Sequence, residues 1–253
     1  MTSRRRATRR LGHLLVCALL VAACAEDQPE PGSKHAVSPV RFRASDGVLL
    51  DGRLFGDGRV GIVLSHMGRG GDSQRDWYPL ARSLARQGYL VLTYNRRGVC
   101  PRGGAGCSKG VDDLPNSWKD VAGAYRFLRR KGAEAVALVG ASIGAMSSLE
   151  AAARRDLRVA AVVEIAGIND ASGYSFTRAD LRRLEGAKLF VSASRDPYGA
   201  AAAARTWYRW ARPPKRLAIV PSDLHGTDLL RPGEETRRAL MVLVRSFLQR
   251  ALA

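Results

Sequence analysis

The sequence predicts an α/β fold in which a mostly parallel sheet is covered by helices on both faces. Short apolar segments of strand length recur from residue 40 onward, and segments with apolar residues at helical spacing separate them. Parallel strands need such helical crossovers, and the crossovers cover the two faces of the sheet. The 253 residues are 46% hydrophobic and 25% charged, which suits one globular domain with a sizeable core. Collagen-like, coiled-coil and wholly disordered proteins are therefore excluded.

The predicted sheet begins with an antiparallel hairpin. Residues 40–44 and 48–55 read as its two strands, because they flank the turn signal Ser45-Asp46-Gly47. The other predicted strands, all short and apolar, are residues 61–65, 89–94, 135–139, 159–165, 188–192 and 216–220. The predicted helices, which lie between or after these strands, are residues 77–87, 118–130, 145–155, 200–211 and 234–252. No internal repeat is visible, so residues 39–253 are predicted to form one domain.

The N-terminal segment is typical of an exported protein. Residues 1–10 are cationic, and residues 11–23 are apolar apart from His13. This apolar run is too short to span a bilayer, but its length suits the central part of a signal peptide. It ends in Val21-Ala22-Ala23-Cys24, which resembles the lipobox of bacterial lipoproteins. We therefore expect residues 1–23 to be a lipoprotein signal peptide and Cys24 to carry a lipid that anchors the protein on the extracytoplasmic face of a membrane.

A simpler interpretation of the same segment stays open. An ordinary signal peptide cleaved after Ala23 or Ala25 would leave Cys24 incidental. The paired arginines near the start also leave both the general and the twin-arginine export routes open. Residues 24–38 are rich in Pro, Glu, Gly and Ser, a composition typical of a flexible tether.

The chain is strongly basic. It has 41 Lys and Arg residues against 23 Asp and Glu residues, a formal net charge of +18. Such a charge permits contact with anionic membranes, cell-wall polymers or acidic substrates. Nucleic-acid binding is not expected, because the arginines are scattered and no compact basic block or strip interleaved with aromatic residues is present.

Two cysteines remain in the predicted domain. Cys100 and Cys107 lie in a Gly-rich segment with six residues between them. In an exported protein such a pair is most simply a disulfide that closes a small loop. A metal site is not expected, since no nearby His or further Cys completes a tetrahedral ligand set, and the redox spacing with two intervening residues is absent.

One five-residue motif carries the predicted chemistry. Gly140-Ala141-Ser142-Ile143-Gly144 follows a predicted strand directly and leads into an Ala-rich helix. A serine between such glycines is typical of a nucleophile elbow, a strained strand-to-helix turn that lifts the hydroxyl clear of the sheet. In a parallel sheet, sites form at the carboxyl ends of the strands. Ser142 is therefore the predicted nucleophile.

A serine nucleophile needs a base. Of the four histidines, His13 and His35 fall in the predicted signal peptide and tether, and His66 ends the third predicted strand. His225 lies in a loop after the last strand, at the edge of the sheet where Ser142 is expected. His225 is therefore the predicted base, and His66 is assigned a structural hydrogen-bonding role.

An orienting carboxylate should hold the imidazole and stabilise its protonated form. Asp196 follows the strand at residues 188–192 and precedes His225 by 29 residues. The other candidates are Asp170, after the preceding strand, Asp223, which is close to His225 in sequence, and Asp228. Asp196 is the predicted acid, which gives the chain order Ser, Asp, His.

These residues and their order resemble the α/β-hydrolase family, and the resemblance covers nearly all of the predicted domain. The segment Ser65-His66-Met67-Gly68 resembles the family's oxyanion loop, and Asn95-Arg96-Arg97-Gly98 resembles the turn that follows its next strand. The resemblance implies that the backbone N–H of Ile143, with that of Met67 or Gly68, stabilises an oxyanion. Met67 replaces the family's usual glycine, and residues 99–105 are an insertion.

The resemblance implies a serine hydrolase that needs no metal or organic cofactor, most simply a carboxylesterase that acts on small or envelope-associated acyl substrates. Only residues 167–187 separate two strands where the family often inserts a cap, so the cap is predicted to be minimal and the site open. A peptidase or an acyltransferase would use the same triad, and a non-catalytic binding lipoprotein is the alternative from another class. Four aromatic residues are assigned either to an acyl pocket or to the core: Tyr174, Phe176, Trp207 and Trp210.

Overall fold

The structure is a computed structural model that describes residues 37–101, 104–154 and 156–253. The predicted signal peptide, Cys24 and all but the last two residues of the predicted tether lie outside these residues. Within the described ranges, no helix is both long enough and apolar enough to cross a membrane.

Eight strands form one sheet, in the order β1-β2-β4-β3-β5-β6-β7-β8. The strands are β1 (Val37–Arg43), β2 (Leu49–Phe55), β3 (Val60–Ser65), β4 (Leu90–Tyr94), β5 (Ala135–Ala141), β6 (Ala161–Ile165), β7 (Ala187–Ala193) and β8 (Lys215–Val220). β1 and β2 pair in antiparallel fashion, β2 pairs antiparallel with β4, and the strands from β4 to β8 are parallel. The predicted, mostly parallel sheet is confirmed.

Helices cover the sheet on both faces. They are α1 (Tyr78–Ala85), α2 (Trp118–Arg130), α3 (Ile143–Ala153), α4 (Arg178–Arg183), α5 (Ala200–Trp210) and α6 (Glu235–Ala251). One apolar core lies between the sheet and helices α2, α3, α4 and α5, and a second lies between the sheet and helices α1 and α6. The central strands, β3 to β7, are therefore buried on two sides, which explains their nearly continuous apolar sequences.

The element boundaries differ from the predicted ones in two informative places. β1 begins at Val37, two residues before the predicted start of the domain, and Pro39 lies inside it, paired with Arg53. β1 is an edge strand, where proline is tolerated because one side of the strand has no neighbour. Helix α3 begins at Ile143 rather than at residue 145, because the turn at Ser142 passes directly into the helix.

The segment between β6 and β7 contains the single short helix α4 among its described residues. The helix starts with a capping box, in which Thr177 accepts the N–H of Asp180 and the Asp180 carboxylate accepts the N–H of Thr177. The minimal cap predicted from the length of this segment is confirmed.

The insertion after β4 is closed by a disulfide and fixed to the hairpin by hydrogen bonds. Cys100 and Cys107 are joined by a disulfide, as predicted. The next residue, Ser108, accepts the N–H of Asp51 at 3.0 Å and donates its hydroxyl to the carbonyl of Asn95 at 2.6 Å. These bonds hold the insertion at the carboxyl end of β4, on the same side of the sheet as the predicted site.

Candidate active site

Ser142 occupies a strained turn between β5 and α3. Its backbone has φ 52° and ψ −119°, in the region that residues with a side chain rarely adopt. Its N–H donates to the carbonyl of Ile165 at the end of β6, at 2.9 Å. The serine is half-buried. The turn therefore has the backbone conformation that the motif predicted.

The two glycines of the motif are required by space. A Cβ at Gly140 would lie 2.1 Å from the carbonyl oxygen of Gly144, and a Cβ at Gly144 would lie 2.2 Å from the carbonyl oxygen of Ser65. Neither distance allows a side chain. The close approach of Gly144 to Ser65 also brings the start of helix α3 against the end of β3, where the oxyanion loop begins.

Asp196 and His225 are hydrogen bonded. The distance between Asp196 Oδ2 and His225 Nδ1 is 2.8 Å, and both side chains are buried. The other carboxylate oxygen, Oδ1, accepts the backbone N–H of Tyr198 at 2.9 Å and of Ala200 at 3.4 Å. With Nδ1–H donating to the carboxylate, the imidazole presents Nε2 as an acceptor, which is the tautomer that a general base needs.

None of the other acidic candidates is hydrogen bonded to His225 in the part of the chain that the structure describes. Asp170 accepts from Asn169 and from the hydroxyl of Ser175. Asp223 is exposed, and Asp228 is paired with arginines. Of the four acids weighed from the sequence, the one in contact with the imidazole is therefore Asp196.

The loop that carries His225 packs against the residue before Ser142. A Cβ at Gly226 would lie 3.6 Å from the Cβ of Ala141 and 2.7 Å from the sulfur of Met67. His225 directly precedes Gly226 and Ser142 directly follows Ala141, so both are adjacent in sequence to this contact. Among the described residues, the His225 ring makes a hydrogen bond to Asp196 and none to the Ser142 hydroxyl. Catalytic hydrogen bonds are often long in unliganded enzymes and tighten when substrate binds.

His66 supports the loop after β3. Its Nε2 accepts the backbone N–H of Arg96 at 3.1 Å, and its Nδ1 donates to the carbonyl of Met67 at 2.6 Å. Complete burial, followed by the positive charge of Arg96, lowers the pKa of His66 to about 3. His66 is therefore neutral, and its two hydrogen bonds give it the structural role assigned from the sequence.

The loop residues predicted to form the oxyanion hole lie against helix α3. A Cβ at Gly68 would lie 3.0 Å from Cγ2 of Ile143, so Gly68 packs against the side chain of Ile143. Met67 is buried, and its sulfur fills the space above Gly226. Met67 stands where the family usually has a glycine, and its side chain thus joins the oxyanion loop to the loop of His225.

Two charged residues join the same two loops. Arg69 Nη1 lies 2.6 Å from Asp228 Oδ2, and Arg69 Nη2 lies 2.8 Å from Asp228 Oδ1. Asp72 accepts the backbone N–H of Arg69, and Arg231 approaches Asp228 at 2.8 Å. Asp228 first, and then Asp72, raise the pKa of Arg69 against the effect of burial. This clamp could not be predicted from local sequence patterns, because 159 residues separate Arg69 from Asp228.

Glu164 and Tyr198 are further neighbours of the Asp196–His225 pair that were missed. Glu164 is fully buried in β6, and burial raises the pKa of its carboxyl to about 8, with a smaller contribution from the charge of Asp196. The Tyr198 ring lies edge-on to the imidazole, with 4.6 Å between ring centroids, although 53% of the residue is exposed. The available signal for Glu164 was a single acidic residue within an apolar strand.

The aromatic residues that were assigned to a pocket or to the core lie mostly in the core. Tyr174, Phe176 and Trp207 are buried, and the Phe176 and Trp207 rings meet edge to face. The Tyr174 hydroxyl lies 3.2 Å from the hydroxyls of Ser117 and Ser147. Trp210 is partly buried against the same core.

No group of three or more His, Cys, Asp or Glu residues in the described ranges is arranged to hold a metal ion. The candidate site consists instead of the Ser142 hydroxyl at the start of helix α3 and the hydrogen-bonded pair of Asp196 and His225. Such an arrangement can activate a hydroxyl by removal of its proton.

Comparison with known proteins agrees with this architecture. The structure is similar to an esterase of Pyrococcus furiosus, with a TM-score of 0.70 and 14% identity over 87% of this chain and 92% of the other. It is similar to a dienelactone hydrolase of Anabaena variabilis (TM-score 0.67, 19% identity, 86% of this chain and 98% of the other). A thermophilic esterase of Thermogutta terrifontis gives a TM-score of 0.67 with 14% identity over 85% of this chain and 100% of the other.

The sequence itself matches one family model, and among curated proteins none matches the chain significantly. The matching model is that of the alpha/beta hydrolase fold, and it covers residues 61–207, from β3 to the middle of α5 and more than half of the chain. The chain belongs to the α/β hydrolase family.

Proposed function

We propose that this protein is an exported serine hydrolase that cleaves carboxylic esters and is held at a membrane by a lipid on Cys24. The observation that carries the proposal is the Asp196–His225 hydrogen bond, on a loop packed beside the strained turn of Ser142. The names of the similar structures, two esterases and a dienelactone hydrolase, support ester hydrolysis as the reaction class.

In the proposed first half-reaction, Ser142 Oγ attacks the acyl carbon of the ester while His225 Nε2 takes the hydroxyl proton. The new C–O bond pushes an electron pair onto the carbonyl oxygen. Asp196 stabilises the protonated imidazole and keeps its orientation. The tetrahedral intermediate then collapses, the bond to the alcohol breaks, and His225 gives the proton to the leaving oxygen. The product is an acyl-enzyme on Ser142.

In the second half-reaction, water takes the place of the alcohol. His225 removes a proton from the water, whose oxygen attacks the acyl carbon, and collapse of this intermediate returns the proton to Ser142 Oγ. The carboxylic acid then leaves. Both half-reactions require only proton transfer and acyl transfer, so they proceed without a metal or an organic cofactor.

The oxyanion of both intermediates needs preorganised N–H donors. The contact between Gly68 and Ile143 supports a pair of donors from these two segments, the N–H of Ile143 with that of Met67 or Gly68. Donors of this kind are worth about 3 kcal/mol each in the transition state. The fixed position of the oxyanion loop, held by His66 and Arg69, supports such preorganisation.

The minimal cap supports an open site that admits small esters and acyl groups of the cell envelope. A peptidase or an acyltransferase would use the same residues and differ only in the leaving group or in the acceptor. A binding lipoprotein would retain the fold without turnover. Activity assays separate these possibilities, because ester hydrolysis, amide hydrolysis and acyl transfer give different products and a binding protein gives none.

The experiment is a panel of aryl esters, aminoacyl amides and ester-plus-sugar mixtures, tested with wild type, Ser142→Ala and the control Ser45→Ala, which changes an exposed serine of the hairpin turn. We expect ester hydrolysis by wild type and Ser45→Ala, and its loss in Ser142→Ala. Turnover that survives in Ser142→Ala, or folded wild type without turnover of any acyl substrate, would contradict the proposal.

A further inference from the structure

Arg96 and Arg97 are adjacent, but their guanidinium groups have very different partners. Arg97 donates from Nε to Asp120 at 2.8 Å and from Nη1 and Nη2 to Asp46 at 2.9 and 3.0 Å. All three of its nitrogen atoms therefore meet a carboxylate. This pattern is that of a structural arginine, which ties the hairpin turn to helix α2.

Arg96 is as deeply buried and much less well paired. Its side chain is 2% exposed, and its carboxylate partner in the described residues is Asp112, which Nη1 contacts at 2.6 Å and which is itself 48% exposed. Among the residues that the structure describes, none accepts a hydrogen bond from its buried Nε. A buried guanidinium with an unfilled N–H is unfavourable, because the group has lost water without gaining a protein acceptor.

The second terminal nitrogen of Arg96 points to the oxyanion loop. A Cβ at Gly68 would lie 3.5 Å from Arg96 Nη2 and 3.0 Å from Cγ2 of Ile143. Gly68 itself is exposed. Nη2 therefore lies on the side of the guanidinium that faces this exposed loop residue.

The anchoring of Arg96 is rigid. Its backbone N–H donates to His66, and its carbonyl accepts the N–H of Val99 at the start of the insertion. Together with the burial of the side chain and the contact with Asp112, this fixed backbone holds the guanidinium beside the oxyanion loop. A donor held in this way suits recognition of an anion more than a mobile surface arginine does.

We propose that Arg96 forms a subsite for a carboxylate on the acyl part of the substrate, so that the preferred substrates are monoesters of short dicarboxylic acids. This inference rests on the proposed function, and it adds the substrate class. Nη2 of Arg96, on the side of Gly68, supplies a charge-assisted hydrogen bond to the substrate carboxylate, while the ester carbonyl occupies the oxyanion site beside Gly68. The positive net charge of the chain, +18, favours the approach of such an anion.

The test compares 4-nitrophenyl monoesters of succinic, glutaric and adipic acid with neutral partners in which an isopropyl group replaces the carboxylate. For each pair, kcat/KM is measured with the rate corrected for uncatalysed hydrolysis. We expect wild type to prefer the anionic ester of at least one length by about tenfold or more, the range of one charge-assisted hydrogen bond. Arg96→Gln should abolish this preference and keep the neutral rate within threefold or so.

Two further variants identify the cause. Arg96→Lys keeps the charge and should retain part of the preference. Arg126→Gln removes an arginine of a surface ion pair and should leave the preference unchanged, which excludes an effect of net charge alone. Equal loss of activity toward both esters in Arg96→Gln would mean that Arg96 only supports the oxyanion loop, and it would overturn the inference. So would a wild type without preference at every chain length.

A binding arm separates this inference from the proposed function. Monomethyl glutarate and neutral methyl 5-methylhexanoate are titrated calorimetrically into Ser142→Ala and into Ser142→Ala with Arg96→Gln. We expect binding of the anion that is weakened about tenfold or more in the double variant. If wild type hydrolyses no ester, the proposed function fails, and this titration still decides on Arg96. Absence of binding, or binding that does not depend on Arg96, overturns the subsite.

Discussion

Asp196 Oδ2 lies 2.8 Å from His225 Nδ1, and the second oxygen of the same carboxylate accepts two backbone N–H groups from the loop that leads into helix α5. The backbone N–H groups thus fix the carboxylate independently of the imidazole. Because its position does not depend on His225, it can dictate which ring nitrogen of His225 carries the proton. In the proposed mechanism, this pair supplies the acid, Asp196, and the base, His225.

Asp196→Asn should leave the fold intact and reduce kcat about a thousandfold or more. The amide keeps the shape of the carboxylate, but its NH2 group donates instead of accepting, so its one oxygen can accept either from His225 or from the backbone N–H groups and not from both. The imidazole then adopts the other tautomer, with a proton on the nitrogen that should face Ser142. Steady-state kinetics with an aryl ester, together with the thermal unfolding midpoint, measure the effect.

Asp223→Asn is the matched control for this prediction. Asp223 is exposed and lies two residues from His225, so its loss changes the local charge without touching the imidazole. We expect activity close to wild type. A comparable loss of kcat in both variants would show that charge near the loop, rather than the contact of Asp196, determines activity.

The clamp between Arg69 and Asp228 should couple the oxyanion loop to the loop of His225. Arg69→Gln and Asp228→Asn should each lower kcat/KM, and the double variant should lose less than the sum of the two effects, with a coupling free energy of about 1–3 kcal/mol. A double-mutant cycle on kcat/KM measures this coupling. Additive losses would mean that the clamp does not position the two loops together.

Arg231→Gln serves as the control for the clamp, since Arg231 contacts the same carboxylate from the exposed side. Its side chain is 60% exposed, so solvent screens this pair strongly. We expect a change in kcat/KM of less than about twofold, in keeping with the small worth of exposed ion pairs.

Glu164 should make the protein less stable as the pH rises. The pKa of this buried carboxyl is raised from 4.5 to about 8, so between these values the unfolded chain loses the proton while the folded protein keeps it. Below pH 4.5 both states are protonated and the contribution to stability is full; through pH 8 it is lost. The contribution to the slope is at most about 1.4 kcal/mol per pH unit.

Glu164→Gln removes this titration and keeps the size of the side chain. The free energy of unfolding of the variant, minus that of wild type, should therefore increase as the pH rises from about 4.5 to about 8 and then level off. Urea unfolding at a series of pH values measures the difference. Exposed Glu235→Gln should show no such trend, and a constant difference for Glu164→Gln would mean that Glu164 does not titrate in this range.

The proposed lipid on Cys24 should determine membrane association. Cys24→Ser, expressed in a bacterium that processes lipoproteins, should release the protein from the membrane fraction after washing. Cys17→Ser, which lies within the predicted signal peptide, should stay anchored. Continued anchoring of Cys24→Ser would contradict lipidation at this residue, and the mass of the mature N-terminus would then identify the cleavage site.

The sequence predicted the sheet edge that carries the site because the chemistry is local there. The motif around Ser142, and the positions of Asp196 and His225 after two further strands, depend only on strand ends that must meet at one edge. A Cβ at either glycine of the motif would collide with backbone, as expected for the tight turn that the motif predicts.

The parts that could not be predicted depend on contacts between distant segments. The packing of Met67 over Gly226 follows from the spacing of two loops, which no local pattern encodes. The same holds for the difference between Arg96 and Arg97, because their partners are carboxylates on separate elements. The domain begins two residues before its predicted start, because the edge strand β1 extends on both sides of Pro39, where proline is accepted.

The most direct measurement is intact-mass and peptide analysis of the protein after reaction with a fluorophosphonate. This reagent phosphonylates a serine only when a base activates it, so the mass added and its position report on the whole catalytic arrangement. We expect one phosphonyl adduct per chain, on Ser142, which forms much more slowly in His225→Gln. An unmodified folded protein, or an adduct on another serine at a rate that ignores His225, would contradict it.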